Sequence, residues 1–463
     1  MLDFAHIESY KENNRIEAKK ALGGLPHSIL ETYSAFANTM GGIILLGVEE
    51  YRDKTFHTVD LPCPEMLVED FFELLQSKNK VSVNILSEND VTVESINGHR
   101  IVAIRVPRAH RTQKPVYIDN DPKNGTYRRS GEGDYRCRPE EVETMLRDAA
   151  VCSPDTSVLV HMGAECLDSD SINEYRQRIN LSPNTTYEAL EDMDDTELLL
   201  NVGALEICSN GSVHPTAAGL IMLGKPEAIN RQYPNFKLKY IDEATQPPMY
   251  FYGKNACEFY FRAYDILSKY EFADGKVISA LGEALTNCIT NADILSEQGV
   301  TVVRRSDRIT FTNGGSFRID VDSAMSGGVS DPRNAGLIRL FKYAGVGSGA
   351  GGGIPSIYST WRSRGWSAPM ITESFSPESI TLTLPLSGYD VSCTPKAQGS
   401  VSPHHIDIIV DHLTRHISAD KKQIAQLLGA DPTVTDNVLS SMLNDNILQA
   451  DGCDENKIFK LKA

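Results

Sequence analysis

The stretch "SAFANTMGGIILLGVEE", residues 34–50, decides the architecture of the first part of the chain. The glycine pair at 41–42 is predicted to end a helix that starts near Pro26, because glycine accepts the left-handed conformation of a helix C-terminus. The apolar run 43–48 then predicts a central strand that is covered on both faces. Two acids, Glu49 and Glu50, directly follow this predicted strand. Carboxylates at the end of a buried strand need a binding partner.

Upstream, the alternation in "KENNRIEAKK" predicts a strand with Ile16 and Ala18 on one face and Glu17 and Lys19 on the other. Metal-dependent nucleases use a carboxylate and an ammonium in this arrangement, with acids holding the metal and the lysine steadying water or phosphate. Oxygen ligands for Mg²⁺ or Mn²⁺ could come from three glutamates, Glu12, Glu17 and Glu50. The alternative is a solvated strand face that carries a Glu–Lys pair.

A basic segment follows in a chain that is acidic as a whole. Three tyrosines, at 117, 127 and 135, alternate with its basic side chains, and aromatic faces can stack unpaired bases. The segment therefore predicts a nucleic-acid interface, with salt-dependent phosphate contacts. The alternative is a basic face that pairs with acidic residues of the same chain. The candidate contacts are Arg105, Arg108, Arg111, Lys114, Arg128, Arg129, Arg136 and Arg138.

Composition limits the other possibilities. The chain has 463 residues and a formal net charge of -17, which excludes general coating of nucleic acid by the whole surface but allows a local basic patch. No apolar stretch is long enough for a membrane helix, so we expect a cytoplasmic protein without a membrane partner. The nine scattered cysteines indicate neither a zinc site nor a disulfide framework.

The length predicts several domains, since single hydrophobic cores stop growing near ~250–300 residues. Shifts in pattern and composition place the boundaries near residues 150 and 265, and a polar linker rich in Gly, Ser and Pro follows residue 388. Within the second segment, "PTAAGLIMLGK" and "FKLKYIDEA" are predicted as strands. The predicted segments are 1–150, 151–265, 266–388, the linker 389–402 and a tail at 403–463.

A long helix in the third segment carries an unusual polar row. In "DGKVISALGEALTNCITNADIL" one helical face is apolar, while Glu283, Asn287 and Asn291 repeat every four residues on another. Burying amides without partners is costly, so something polar should lie against this face. Downstream come a strand that ends in Asn-Gly-Gly and the glycine-rich loop "GVGSGAGGG", which opens a helix. Such loops let backbone N–H groups approach phosphates.

The N-terminal motifs carry a family resemblance. The series "RIEAKK", "LPHSILETYSAFANTMGGIILLGVEE" and "GTYRRSGEGDYRCRPEEVETML" resembles the Alba-type DNA-binding domain of the Schlafen superfamily, over about residues 8–148. In nuclease-active relatives, two glutamates five residues apart and a later acid form the metal site. By this resemblance Glu12, Glu17 and Glu50 would hold the metal beside Lys19, with Glu49 competing for the third position. Many bacterial members instead resemble regulators.

The order of polar helix, Asn-Gly-Gly strand and glycine loop resembles the GHKL class of ATP-binding folds, an α/β sandwich, in its divergent helicase-like form. The resemblance covers about residues 195–385 and implies ATP with Mg²⁺ as cofactors. Asn287 would hold the nucleotide's Mg²⁺ and Glu283 would orient or activate water. Asn313 stands where typical members have the base-reading aspartate. The implied phosphate and base contacts are completed by Gly315, Gly347, Gly349, Gly351 and Gly353.

The tail has the pattern of a winged helix-turn-helix, with three predicted helices followed by a short hairpin. Its third predicted helix, 431–446, contains no basic residue, whereas DNA-reading helices present Arg, Lys, Asn or Gln to base edges. A dimerising or partner-binding winged helix therefore fits at least as well as one that binds duplex DNA.

Together these features predict an α+β multidomain protein that binds DNA or RNA as a transcriptional regulator and is modulated by a nucleotide. We expect a dimer or larger homo-oligomer. A second hypothesis is a metal-dependent nuclease acting on RNA or single-stranded DNA, for example in phage defence, and weak ATPase activity is also open. A third is an inactive dimeric interaction scaffold.

Overall fold

The computed structural model describes residues 13–180, 193–319, 321–347 and 352–387, and parts of the segment 409–461. The chain forms two compact units, Met1–Ala150 together with Val391–Ala463, and Val151–Asp390. Both units mix helices with sheets, as the sequence predicts.

The N-terminal part is built on a four-stranded sheet in the order β1-β2-β6-β5. Strand β2 is central, parallel to β1 and antiparallel to β6. Its side chains alternate between two apolar clusters, because Ile44 and Leu46 pack with α1 and α2 while Leu45 packs on the opposite face. The prediction of a strand covered on both faces is confirmed. The elements are β1 (Ile16–Lys19), α1 (Ile29–Asn38), β2 (Gly42–Leu46), α2 (Pro64–Gln76), β5 (Val91–Ile96) and β6 (His99–Val106).

The predicted strand 43–48 is interrupted at Gly47. This glycine has a φ of 83°, and a Cβ there would lie 2.9 Å from Leu61 Cγ. Since this positive φ favours glycine, the chain turns at Gly47 and enters a separate two-stranded ribbon. Glu49 and Glu50 therefore lie on the ribbon rather than at the end of the central strand. The ribbon consists of β3 (Val48–Glu50) and β4 (Phe56–Thr58).

Helix α1 begins at Ile29, later than predicted, and its last residue holds the neighbouring segments in place. The buried side chain of Asn38 donates to the carbonyls of Val116 at 2.7 Å and Tyr127 at 3.0 Å, and it accepts from the Val116 amide at 2.8 Å. Asn38, the asparagine in "SAFANT", thus holds a second hairpin against α1 through buried hydrogen bonds. That hairpin is β7 (Tyr127–Ser130) and β8 (Gly133–Arg136), followed by α3 (Pro139–Ala149).

The second unit is organised around a six-stranded sheet in the order β12-β11-β13-β14-β16-β15. Strands β11 and β13 are parallel and the other neighbours are antiparallel. The sheet draws strands from both sides of the predicted boundary at residue 265. Its strands are β11 (Leu238–Asp242), β12 (Met249–Tyr252), β13 (Val300–Arg304), β14 (Arg308–Gly314), β15 (Met370–Phe375) and β16 (Glu378–Pro385).

Helices of this unit share one large apolar cluster with the sheet. Helix α9 is the long helix with the polar row, and it packs against α12. The remaining elements of the unit are α4 (Ser169–Asn180), α5 (Asp195–Val202), β9 (Leu205–Ile207), β10 (Val213–Pro215), α6 (Ala217–Leu223), α7 (Pro226–Gln232), α8 (Ala256–Leu267), α9 (Gly275–Thr290), α10 (Val321–Ser326), α11 (Ala335–Tyr343) and α12 (Gly353–Ser363).

The predicted strand in "PTAAGLIMLGK" is wrong, because its apolar core forms helix α6. The Thr216 hydroxyl caps this helix by accepting from the Gly219 amide at 3.0 Å. All seven residues of α6 are buried, so the sequence shows no polar face. A short, fully apolar helix cannot be told from a buried strand by periodicity. The predicted strand in "FKLKYIDEA" is confirmed by β11.

Both tryptophans of the chain belong to this unit. Trp361 is buried in α12, its indole N–H donates to the Pro385 carbonyl at 2.6 Å, and its ring meets Trp366 at a centroid distance of 5.4 Å. The contact fixes α12 to the end of β16.

Only part of the tail is described. A three-stranded sheet in the order β17-β19-β18 accompanies one helix, and Ile409, Ile424 and Phe459 belong to its buried apolar cluster. Most of the predicted third helix lies outside the described residues, so the winged helix remains a prediction. In the described part of the chain, no helix is both long and apolar enough to span a bilayer. The elements are β17 (Ala419–Asp420), α13 (Lys421–Leu428), β18 (Leu448–Asp451) and β19 (Ile458–Leu461).

Candidate functional sites

The predicted pair Glu17 and Lys19 lies on one face of β1, as the alternation indicates. Lys19 Nζ is 2.8 Å from Glu17 Oε1 and also donates to the Ser28 hydroxyl at 3.1 Å. Both side chains are largely buried, with 13% and 12% of their surfaces exposed. The alternative of a solvated strand face is therefore not what the structure shows at this pair.

Arg129 completes this cluster from strand β7. Its Nη2 lies 2.8 Å from Glu17 Oε2, and its Nη1 lies 3.0 Å from Asp134 Oδ1. The other Asp134 oxygen accepts from the Thr32 hydroxyl at 2.7 Å. The guanidinium also donates to the Asn13 carbonyl at 2.9 Å, and its side chain is only 1% exposed. Two carboxylates and two cations thus form one nearly buried network that joins β1, α1 and the β7–β8 hairpin.

Glu49 and Glu50, the other described candidates for the metal site, pair with lysines and belong to no metal-binding cluster of the described residues. Glu50 Oε2 is 3.2 Å from Lys54 Nζ, and Glu49 Oε2 is 2.8 Å from Lys20 Nζ. Among the described residues, no group of three His, Cys, Asp or Glu side chains could hold a metal ion. Glu12 lies outside the described residues, so the predicted triad as a whole stays a prediction.

Half of the predicted nucleic-acid contacts serve the interior of the domain. Arg128 and Arg129 are buried, and Arg128 Nη1 lies 3.6 Å from Glu141 Oε1. Arg111 donates to the Asp148 and Ala150 carbonyls at the C-terminal end of α3. Lys114 donates to the Asn38 carbonyl at 3.1 Å. A basic segment in sequence thus need not form a basic surface, because strand β7 is covered on both faces and buries the two consecutive arginines.

The exposed remainder lies on β6, on β8 and just after β8. Arg105, Arg136 and Arg138 are exposed, and Arg108 is half-buried. Arg136 lies over the Tyr127 ring, 5.9 Å from its centroid. Of the three interleaved tyrosines only Tyr135 is exposed, at 61%.

In the second unit, the polar row on α9 faces a pocket. Glu283, Asn287 and Asn291 all line it, together with apolar side chains of the sheet such as Phe311 and Leu382. This explains why α9 keeps amides beside an apolar face. Asn313, at the end of β14, lines the same pocket, and its amide donates to the Gly314 carbonyl at 3.1 Å.

Two glycines lie close to these side chains. A Cβ on Gly353, the first residue of α12, would lie 2.7 Å from Glu283 Oε2 and 3.2 Å from Asn287 Nδ2. Gly347 has a φ of 75°, and a Cβ there would lie 3.3 Å from Thr286 Cγ2. Both line the pocket. Gly349 and Gly351 lie outside the described residues.

The sequence reasoning missed two arginines of this pocket. Arg333 is 3% exposed, and its guanidinium donates to the Ser316 carbonyl at 3.1 Å and the Asn291 carbonyl at 3.3 Å. A Cβ on Gly315 would lie 2.7 Å from Arg333 Nη2, so the predicted Gly315 is needed for this close approach. Arg318 donates to the Pro332 carbonyl at 3.1 Å. The motif "SDPRNAG" carried the signal for Arg333.

A second pocket adjoins the first and is also lined by Glu283. Its walls include Arg178, Tyr260 and Tyr264, and it shares Glu283 and Gly347 with the first pocket. Burial raises the pKa of the Tyr260 phenol, so this group is a neutral hydroxyl beside Thr286.

Comparison with known families identifies three regions. Residues 12–138 match the family described as "Schlafen, AlbA_2", and residues 143–239 match a "Domain of unknown function (DUF8451)". Residues 297–384 match the family described as "Putative ATP-dependent DNA helicase recG C-terminal". The chain therefore has a region similar to the Schlafen AlbA_2 family, which confirms the first resemblance at the level of the domain, and a region similar to the RecG C-terminal family, which supports the helicase-like part of the second, while the GHKL sandwich over 195–385 stays a prediction.

Two solved structures are similar to the chain. The DIP2311 protein from Corynebacterium diphtheriae is 17% identical, with a TM-score of 0.41, over 97% of this chain and 79% of that one. The N-terminal domain of a RecG-related protein from Nitrosomonas europaea is 32% identical, with a TM-score of 0.24, over 30% of this chain and 94% of that one. No curated protein matches the chain significantly.

Proposed function

We propose that this protein is a nucleic-acid-binding regulator whose activity is modulated by a bound nucleotide. The observation that carries the proposal is the pocket in which Glu283, Asn287 and Asn313 meet Gly353 at the start of α12. Helix N-termini with closely approaching glycines favour phosphate, and carboxylate and amide oxygens suit a hard cation.

The residues present fit a magnesium nucleotide. Asn287 would hold the cation, Glu283 would orient a water molecule, and the backbone at Gly347 and Gly353 would face the phosphates. Asn313 would approach the base. The bound Mg-nucleotide would supply a charged ligand that closes the pocket, and hydrolysis is not required for such a switch.

Nucleic-acid binding is supported by the exposed part of the basic segment. Arg105, Arg136 and Arg138 offer phosphate contacts and Tyr135 offers a stacking face, while the buried arginines no longer belong to the proposed interface. The family descriptions point in the same direction, because one is that of a DNA helicase's C-terminal region. We infer that the ligand is a single strand or an end, since exposed aromatic faces bind unstacked bases.

The test measures binding of labelled single-stranded DNA, duplex DNA and RNA to the full chain by fluorescence anisotropy, over a range of salt concentrations. Each titration is repeated with Mg-ATP. We expect binding that weakens with salt and changes severalfold with Mg-ATP in the wild type but not in Asn287→Ala. Equal affinity with and without Mg-ATP, in a protein shown to bind ATP, would remove the nucleotide from the proposal.

The matched pair Arg136→Gln and Arg100→Gln tests the interface itself. Both arginines are on strands of the same domain, but only Arg136 belongs to the proposed interface. A loss of affinity in Arg136→Gln alone would support the interface, and equal losses in both would indicate unspecific charge attraction.

A further inference from the structure

The family resemblance implies a divalent metal at the N-terminal carboxylates, and the described residues do not fit one. We propose that Arg129 takes the place of this metal, so that the carboxylates around Glu17 form a closed ion-pair network that excludes divalent cations. This inference rests on the proposed function and deepens it, because it makes the domain a binder that works without a metal.

The carboxylate oxygens of Glu17 and Asp134 already have partners within the domain. Glu17 Oε1 contacts Lys19 Nζ at 2.8 Å and Glu17 Oε2 contacts Arg129 Nη2 at 2.8 Å. Asp134 Oδ1 contacts Arg129 Nη1 at 3.0 Å and Asp134 Oδ2 accepts from Thr32. Three of these four oxygens accept hydrogen bonds, and Glu17 Oε2, which is buried and accepts none, is in ion-pair contact with Arg129. A metal ion needs these same oxygens as ligands.

The charge balance and the burial of the network also disfavour a metal ion. Two negative groups meet two positive groups, so the network is neutral without a metal. Arg129 is 1% exposed, Asp134 is 12% exposed and Glu17 is 13% exposed. In such a poorly solvated site a divalent ion would be repelled by the guanidinium and could not displace it into water without moving β7. The guanidinium is further held by the carbonyls of Asn13 and Ile16.

The other described candidates also have cations beside them. Glu50 lies 3.2 Å from Lys54, and Glu49 lies 2.8 Å from Lys20. Each described acid from the predicted metal set thus has a side-chain cation of the same domain beside it, and the buried Glu50 Oε1 accepts no hydrogen bond. Arginine is suited to the role at Glu17 and Asp134, since it stays charged and its planar guanidinium presents several N–H donors to carboxylate oxygens.

The experiment measures Mn²⁺ binding to the full chain by electron paramagnetic resonance of the free ion, without nucleotide or nucleic acid. The variants are Glu17→Gln, Arg129→Gln, the double variant, and Arg100→Gln as an exposed control outside the proposed interface. We expect wild type, Glu17→Gln and Arg100→Gln to bind Mn²⁺ equally. Arg129→Gln should gain one site, at least tenfold tighter than any wild-type site, and the double variant should lose it.

Two outcomes overturn the proposal. One is Mn²⁺ binding by the wild type that Glu17→Gln abolishes, and the other is a folded Arg129→Gln that gains no site. If Arg129→Gln does not fold, the wild type against Glu17→Gln still decides, and Arg129→Lys, which keeps the charge, should gain nothing. Nucleic-acid affinity is not read in this experiment, so a failure here and a failure of the proposed function remain distinguishable.

Discussion

The two candidate sites differ in the space that surrounds their carboxylates. Around Glu17 the short contacts of the carboxylates are made to Lys19, Arg129 and Thr32 of the same domain, in a network that is almost fully buried. Glu283 instead lines a pocket beside Asn287 and approaches the first residue of a helix. The comparison teaches that a motif of acids indicates a ligand site only when the fold leaves room for a ligand, and the following experiments probe that difference.

We expect the largest effect on stability from a substitution that removes Arg129 from the ion-pair network around Glu17. Arg129→Met leaves Glu17 and Asp134 as buried charges without their shared cation, which should lower the free energy of opening by about 3–5 kcal/mol. Native-state hydrogen exchange of the β1 and β7 amides in the full chain measures this loss.

Arg138→Met is the matched control, because this side chain is 68% exposed and pairs only loosely with Glu141, at 3.6 Å. It should change the opening free energy by less than about 1 kcal/mol. Similar losses in the two variants would show that the Glu17 network is no more closed than a surface pair.

A smaller effect is expected on the outer face of the same hairpin. Tyr135 pairs with Arg128 across the strands, yet Tyr135 is exposed while Arg128 is buried. Tyr135→Ala should weaken single-stranded nucleic-acid binding by about 2 kcal/mol, since stacking contributes ~1–3 kcal/mol per base. Fluorescence anisotropy measures it, with Tyr250→Ala of strand β12 as the exposed control. Loss in both variants would contradict a specific stacking role.

The pocket beside Glu283 is tested by adding one methyl group at Gly353. Gly353→Ala places a Cβ against the Glu283 carboxylate, which must move out of the way. Affinity for a Mg-nucleotide should fall about tenfold, ~1.4 kcal/mol, as seen by calorimetry. At the neighbouring Gly352, a Cβ would meet nothing within 4 Å, so Gly352→Ala should bind as the wild type does. Unchanged affinity in Gly353→Ala would indicate that the phosphates do not bind beside the first residue of α12.

The smallest effect is expected at the exposed pairs of the ribbon. Lys54 contacts Glu50 at 3.2 Å and Glu132 at 2.8 Å, but Lys54 is 46% exposed. Lys54→Gln should therefore change stability by no more than about 1 kcal/mol, as is usual for surface ion pairs. A loss in hydrogen-exchange protection as large as that of Arg129→Met would mean that Glu50 belongs to the closed network.

The sequence allowed the local parts of these sites to be predicted. Strand alternation placed Glu17 beside Lys19, and helical spacing placed Glu283 and Asn287 on one face of α9. Both follow from periodicity within a single element, which is the strongest signal that a sequence contains. The end of the central strand was placed wrongly, because a single glycine at 47 turned the chain.

The parts that could not be predicted depend on contacts between distant segments. Nothing in "GTYRRSGEGDY" shows that Arg129 points inward to Glu17 while Tyr135 points outward, since the register of a hairpin against its neighbours is set by tertiary packing. The same holds for Arg333, which reaches the carbonyl of Asn291 from a loop. Charges along the sequence therefore indicated part of each cluster but not which charged side chains the fold buries together.

The contact between Trp361 and Trp366 has a practical consequence for all these measurements. They are the only tryptophans in the chain, and Trp361 lies on the helix whose first residue faces Glu283. Excitation of indole will thus report almost exclusively from the second unit, as a built-in optical probe. A change in the fluorescence spectrum on adding nucleotide would come from the neighbourhood of α12. Changes at Arg129 would not alter tryptophan fluorescence and would need a separate label.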